Sequence, residues 1–215
     1  MAFKAIMFDL DGTLVDSLDD IADSMNSVLL NYNYPIHDPI AYKTFIGNGI
    51  QNLVRVALPI SNRDEQTIAE CYRMMIETYN YNCVNKTRLY DGTIDLLDEL
   101  KSRGLKLSVL SNKADEFTQK IVQALMPNYF DTVMGLRSDT LKKPDPRGAL
   151  QICESFGIPP ERWMYVGDTG VDMQTAKNAG LCGVGVLWGF RTREELLECG
   201  ARYILEHPLD LIKVM

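Results

Sequence analysis

The chain has little of what several large protein classes require. Histidine occurs twice, and the five cysteines, Cys71, Cys83, Cys153, Cys182 and Cys199, are scattered without a CxxC pair. A zinc site or a disulfide framework is therefore not expected, and reduced, buried thiols in a cytoplasmic protein are. No apolar run is long enough to span a bilayer, so no membrane partner is expected. Met1 leads almost at once into a strand without a charged n-region or an apolar h-region, which predicts no signal peptide. The acceptor triplet Asn85-Lys86-Thr87 then has no secretory context in which to act. Basic residues number 22 against 29 acidic, for a net charge of −7. That balance argues against a dedicated nucleic-acid binder, which needs a basic surface. A small anionic substrate remains compatible, because local charge in a cleft outweighs net charge. There is no internal repeat and no low-complexity segment.

What is present is 215 residues with 46% hydrophobic content, enough for one large domain or one domain with an insert. The first apolar, β-prone run ends in Asp9-Leu10-Asp11-Gly12-Thr13. Two carboxylates two residues apart at a strand's C-terminal edge repel unless a cation lies between them. Alternation would point both the same way, towards a hard cation such as Mg²⁺ with a phosphate beyond it.

From there to about Val84 the pattern is helical. Ile21, Met25, Val28 and Leu29 recur at helical spacing. Phe45 to Leu58 forms a second piece broken by Gly47-Asn48-Gly49. Arg63 to Tyr81 forms a third, with Ile68, Cys71, Tyr72, Met75, Ile76 and Tyr79 on one side. No strand is expected between Leu14 and Asn85, so residues 17–84 read as an inserted helical subdomain. From Asp91 strands and helices alternate. Strands are expected at 105–110, 130–134, 163–166, 182–187 and 203–205, with helices between them and a closing helix at 208–214. This rhythm predicts an α/β fold: a parallel sheet with helices on both faces, made of residues 1–16 and 85–215. Ligands of such sheets bind beyond the carboxyl ends of the strands.

Polar groups gather at those ends. They are Asp9 and Asp11, Ser111-Asn112-Lys113, Lys142-Lys143-Pro144, and Gly167-Asp168-Thr169 with Asp172 four residues after Asp168. Singly, each has an ordinary structural reading: Asp9 or Asp168 as a helix cap, Ser111 as a loop hydroxyl, Lys143 as a solvated charge. Their joint occurrence at corresponding edges of one sheet points to a single pocket. In that pocket Asp9 is the expected nucleophile towards phosphorus. Asp11 is the expected proton donor to the leaving oxygen and, later, base towards water. Asp168, Asp9 and a backbone carbonyl of Asp11 would bind Mg²⁺, with Asp172 completing or orienting the shell. Ser111 would donate to a phosphoryl oxygen, with backbone amides of Leu10, Asp11 and Asn112 as further donors. Lys143 would neutralise charge on phosphate and nucleophile.

These four motifs, in this order, resemble the haloacid dehalogenase superfamily, and the resemblance spans the whole chain. It implies a Rossmann-like parallel sheet with a small helical cap inserted after the first strand. It also implies phosphate-ester hydrolysis through an aspartyl-phosphate. Lys143, directly before proline, matches the family's lysine better than Lys142. The presence of Asp11 sets the chain apart from true haloacid dehalogenases. Gly47 is followed by Asn48-Gly49-Ile50-Gln51, without the basic residue of the β-phosphoglucomutase branch. Gly47-Asn48-Gly49 and Trp188-Gly189-Phe190-Arg191 resemble the phosphoglycolate phosphatase branch, which makes Asn48 and Gly49 candidate substrate contacts. The implied partner is a small phosphorylated metabolite, acted on by a monomer or homodimer. A phosphosugar mutase and a non-catalytic binding protein on the same fold are the alternatives.

Overall fold

A computed structural model describes residues 3–215; the expectation for Met1 lies outside them. The chain divides into two units, one running to Asp16 and resuming at Leu89, the other Ser17–Arg88. Within the first unit six strands form one parallel sheet: β1 (Ala5–Phe8), β4 (Lys106–Ala114), β5 (Thr132–Leu136), β6 (Trp163–Gly167), β7 (Cys182–Val186) and β8 (Tyr203–Leu205). Their order is β5-β4-β1-β6-β7-β8. The chain thus builds outward from β1 on one side, then returns to β6 on the other. The carboxyl ends of β1 and β6 flank this reversal, where open α/β sheets leave a crevice. Two short strands, β2 (Val15–Asp16) and β3 (Arg88–Leu89), mark the crossings; no strand was expected at Val15, where two residues carry no readable alternation.

A strand central to a parallel sheet is covered on both faces and must be apolar throughout. All four residues of β1, Ala5, Ile6, Met7 and Phe8, are accordingly buried. Ala5 and Met7, with Trp163 and Tyr165 of β6, pack on Ala149, Ile152 and Cys153 of α7 (Arg147–Phe156) and Ala176 and Ala179 of α8 (Gly170–Ala179). The alternate residues Phe8 and Val166 face Leu96 of α5 (Thr93–Ser102) and Leu211 of the closing 3₁₀ turn Pro208–Lys213. Both faces are therefore covered. The remaining core helices are α6 (Asp115–Leu125) and α9 (Arg193–Glu198).

The second unit holds α1 (Leu18–Asn31), α2 (Tyr42–Phe45), α3 (Ile50–Ala57) and α4 (Glu65–Asn82). Ile21, Met25, Val28 and Leu29 of α1 are all buried, as their spacing predicts. On α4 the buried stripe is Ile68, Cys71, Met75 and Tyr79, whereas Tyr72 lies just off it and is partly exposed. One-sided burial at helical period explains the split. Among the described residues no helix is long and apolar enough to cross a membrane.

Candidate active site at the strand carboxyl ends

The site is built by how each strand ends. Beyond β1, the Asp9 amide donates to the carbonyl of Val166 at 2.9 Å, so Asp9 still follows the sheet. After it the chain turns at once: the carbonyl of Leu10 accepts from the amides of Thr13, Leu14 and Val15. Gly12 takes φ +82°, and a Cβ on it would run into the carboxylate of Asp168. Glycine is needed there for both conformation and space. The alternation expected to align Asp9 with Asp11 therefore stops short of Asp11, because the strand ends at Phe8.

On β4 the register against β5 shifts between Leu110 and Ala114. Such irregularities re-aim side chains next to sites, and here Ser111, Asn112 and Lys113 are all buried in succession. The strand was expected to end at Leu110; it continues through this segment to Ala114. The Ser111 hydroxyl accepts from the Lys113 amide at 3.2 Å. The Asn112 side chain clamps the Lys143 backbone, donating to its carbonyl at 3.1 Å and accepting from its amide at 2.8 Å. The Asn112 side chain thus fixes the lysine loop.

Asp9, Asp168 and Asp172 are buried together, each offering one carboxylate oxygen within 4.8 Å of the others. Asp172 caps α8: its Oδ2 accepts from the Thr169 amide at 3.0 Å and the Thr169 hydroxyl at 2.6 Å. Asp168 accepts from the Thr13 hydroxyl at 3.1 Å and the Phe190 amide at 2.9 Å. Lys143 Nζ lies 2.8 Å from Asp9 Oδ1 and 2.7 Å from Asp172 Oδ1. It also sits 5.6 Å from the centroid of the Tyr165 ring, a cation–π distance. Burial alone would lower the Lys143 pKa, but the charges of Asp172 and Asp9 hold it well above the ordinary lysine value.

One ammonium does not balance three carboxylates. Burial, then the charge of Asp172, push Asp9 from 3.8 up to about 7 despite Lys143. Burial, then Asp172 and Asp9, hold Asp168 well above the carboxylate range. The ammonium that reaches Asp9, at 2.8 Å from its Oδ1, is divided with Asp172 at 2.7 Å. A buried, all-oxygen cluster with excess negative charge is what a hard divalent cation fits. Asp9, Asp168 and Asp172 are the side chains able to hold one.

Asp11 is outside this triple; its carboxylate faces Lys113 Nζ, 2.9 Å from both oxygens. Asn48 and Gly49 belong to the helical unit, at the turn into α3, where Gly49 has φ +80°. Four contributors carry no assignment from the sequence: Lys113, Thr13, Tyr165 and the loop Trp188-Gly189-Phe190. Trp188 Nε1 donates to the Thr13 carbonyl at 2.9 Å. A Cβ on Gly189 would strike the Gly12 carbonyl and Asp168. A charge count would have flagged Lys113, since the expected pocket set four aspartates against one lysine.

Residues 6–186 match the family of haloacid dehalogenase-like hydrolases. Phosphoglycolate phosphatase of Mannheimia succiniciproducens is 34% identical, covering 99% of this chain and 98% of its own length. That of Aquifex aeolicus is 35% identical, at 99% and 96%. Among solved structures, a haloacid dehalogenase-like hydrolase from Streptococcus pneumoniae superposes with a TM-score of 0.89 at 26% identity, covering 99% of this chain and 98% of that one.

Proposed function

Because the chain belongs to the haloacid dehalogenase-like hydrolases, we propose that its rim of aspartates hydrolyses a small phosphomonoester, 2-phosphoglycolate or a close analogue, with Mg²⁺ as cofactor. The reading rests on one observation: a buried carboxylate, Asp9, clustered with two further acids and sharing a single ammonium with one of them. Full-length relatives named phosphoglycolate phosphatase support the substrate class.

The chemistry follows from the residues. A carboxylate oxygen of Asp9 attacks phosphorus, and the bond from phosphorus to the ester oxygen breaks. Asp11 gives that oxygen its proton. Asp11 then takes a proton from water attacking the aspartyl-phosphate, and inorganic phosphate leaves with Asp9 restored. Lys143 stays between Asp9 and Asp172, offsetting charge as the phosphate arrives. Ser111 and the backbone amides of Leu10, Asp11 and Asn112 donate to phosphoryl oxygens. Bound through Asp9, Asp168, Asp172 and the Asp11 carbonyl, Mg²⁺ would supply charge neutralisation for the transferred group. Asn48 and Gly49 remain the proposed contacts for the rest of the substrate.

The test is phosphate release from 2-phosphoglycolate by the purified chain, with Mg²⁺ and with a chelator. Mg²⁺-dependent release is expected, and Asp9→Asn should lower kcat by about 10⁴-fold or more. Isomerised sugar phosphate in place of free phosphate would favour a mutase. Undiminished turnover by the Asn variant would remove Asp9 from the chemistry.

A further inference from the structure

The mechanism just described leaves one buried charge without a task. Lys113 has a nearly solvent-free side chain, 3% exposed, ion-paired with Asp11, 10% exposed. Its Nζ stands 2.9 Å from each carboxylate oxygen. The ammonium that neutralises the nucleophile is a different one, Lys143, on Asp9 and Asp172.

The two ends of this pair are anchored unequally. Lys113 belongs to β4. Its amide donates to the Ser111 hydroxyl at 3.2 Å, and its carbonyl accepts from the Thr118 hydroxyl of α6, also at 3.2 Å. Asp11 lies past the end of β1, at the start of the turn made by Gly12 and Thr13. The lysine's backbone is thus tied to the sheet and to α6, while Asp11 sits in a turn that bridges it to Val15. An ammonium equidistant from both oxygens centres the carboxylate on one charge, which limits where it can lie. Proton transfer depends on such placement, since a misdirected acid loses most of its effect.

We propose that Lys113 is the positioning residue of Asp11: it holds the ionised carboxylate by both oxygens and, when one oxygen takes up the proton destined for the leaving group, keeps hold of the other. This rests on the phosphomonoesterase reading above. Lys113 acts through Asp11 and touches neither phosphorus nor the cation. Its importance therefore depends on how much help the leaving oxygen needs. A p-nitrophenolate leaves nearly unaided, whereas an alkoxide does not.

The experiment measures kcat/KM with Mg²⁺ on a series of phosphate monoesters running from p-nitrophenyl through phenyl to alkyl, for wild type, Lys113→Met, Lys113→Arg, Asp11→Asn and the Met/Asn double variant. For Lys113→Met, a loss of about 100-fold or more is expected on the alkyl esters and of less than about tenfold on p-nitrophenyl phosphate. Lys113→Arg, which keeps the charge in a forked group, should show the same trend in milder form. Adding Asp11→Asn to Lys113→Met should cost less than about threefold more, because both changes remove one device. Equal losses across the series for both lysine variants, or losses that multiply in the double variant, would overturn the assignment. Should Lys113→Met fail to fold, the arginine variant decides by its slope alone. A wild type that hydrolyses no phosphomonoester would overturn the functional reading and this one together. An active wild type with parallel losses would overturn this one only.

Discussion

Two buried aspartates in this chain sit in opposite circumstances. Asp20, in the first turn of α1 in the helical unit, is 2% exposed. Its oxygens accept from the amides of Lys86 and Thr87 and from the Thr87 hydroxyl, at 2.7–3.0 Å. Asp9, at the rim of the sheet, is buried nearly as deeply but shares the Lys143 ammonium with Asp172 and faces two more carboxylates. Burial is common to both; satisfaction is not. Asp20 has the partners that make a buried carboxylate a structural tie between α1 and the returning chain within its unit. Around Asp9 the carboxylates outnumber the ammonium, an imbalance that a divalent cation would offset.

Substitutions should separate the two kinds. Asp9→Asn should leave the melting temperature of the cation-free chain unchanged or raised, because it relieves repulsion with Asp172 and Asp168. Asp20→Ala should do the reverse. It strands two amides and a hydroxyl and should cost about 2–4 kcal/mol of unfolding free energy in denaturant titrations. A destabilised Asp9→Asn or an unaffected Asp20→Ala would break the contrast. A subtler change tests the shell around the cluster. Gly189→Ala would push a methyl group against the Gly12 carbonyl and Asp168. Its expected effect is a fall of about 10–100-fold in cation affinity. Activity should recover at high Mg²⁺ concentration, whereas a loss that excess cation does not reverse would place the damage elsewhere.

The same contrast explains what was legible in the sequence. The alternation of strands and helices reads directly, because apolar β runs and helical stripes are local patterns; β6 and β7 fall within a residue of expectation. The order of strands on the two sides of β1 is a long-range outcome that no window carries. Of the site, the acidic and basic residues at strand ends are visible as motifs. Their division into a triple with Lys143 and a pair with Lys113 is not, since it depends on β1 ending at Phe8 and on the irregular end of β4. The role of Gly189 is invisible for a like reason. It lies 177 residues from Gly12 in sequence and is needed for a close approach that only the fold creates.

The smallest effect is also the most direct probe of the charge imbalance. Asp9 is pushed from 3.8 to about 7, by burial first and Asp172 second, and Asp168 moves the same way. The unfolded chain releases these protons near about pH 4. Between about pH 4 and 7 the cation-free native state therefore holds protons that the unfolded state has lost, so its stability falls as pH rises through that window. A divalent cation competes for the same oxygens and must expel those protons to bind. The rise in melting temperature on adding Mg²⁺ should accordingly be small near pH 5 and several degrees larger near pH 8, by thermal melts at fixed ionic strength. Asp9→Asn should flatten that dependence, whereas Asp20→Ala should lower the melting temperature at both pH values. An equal Mg²⁺ effect at both pH values would mean that Asp9 is already ionised without the cation, and the distinction between a satisfied and an unsatisfied carboxylate would lose its electrostatic basis.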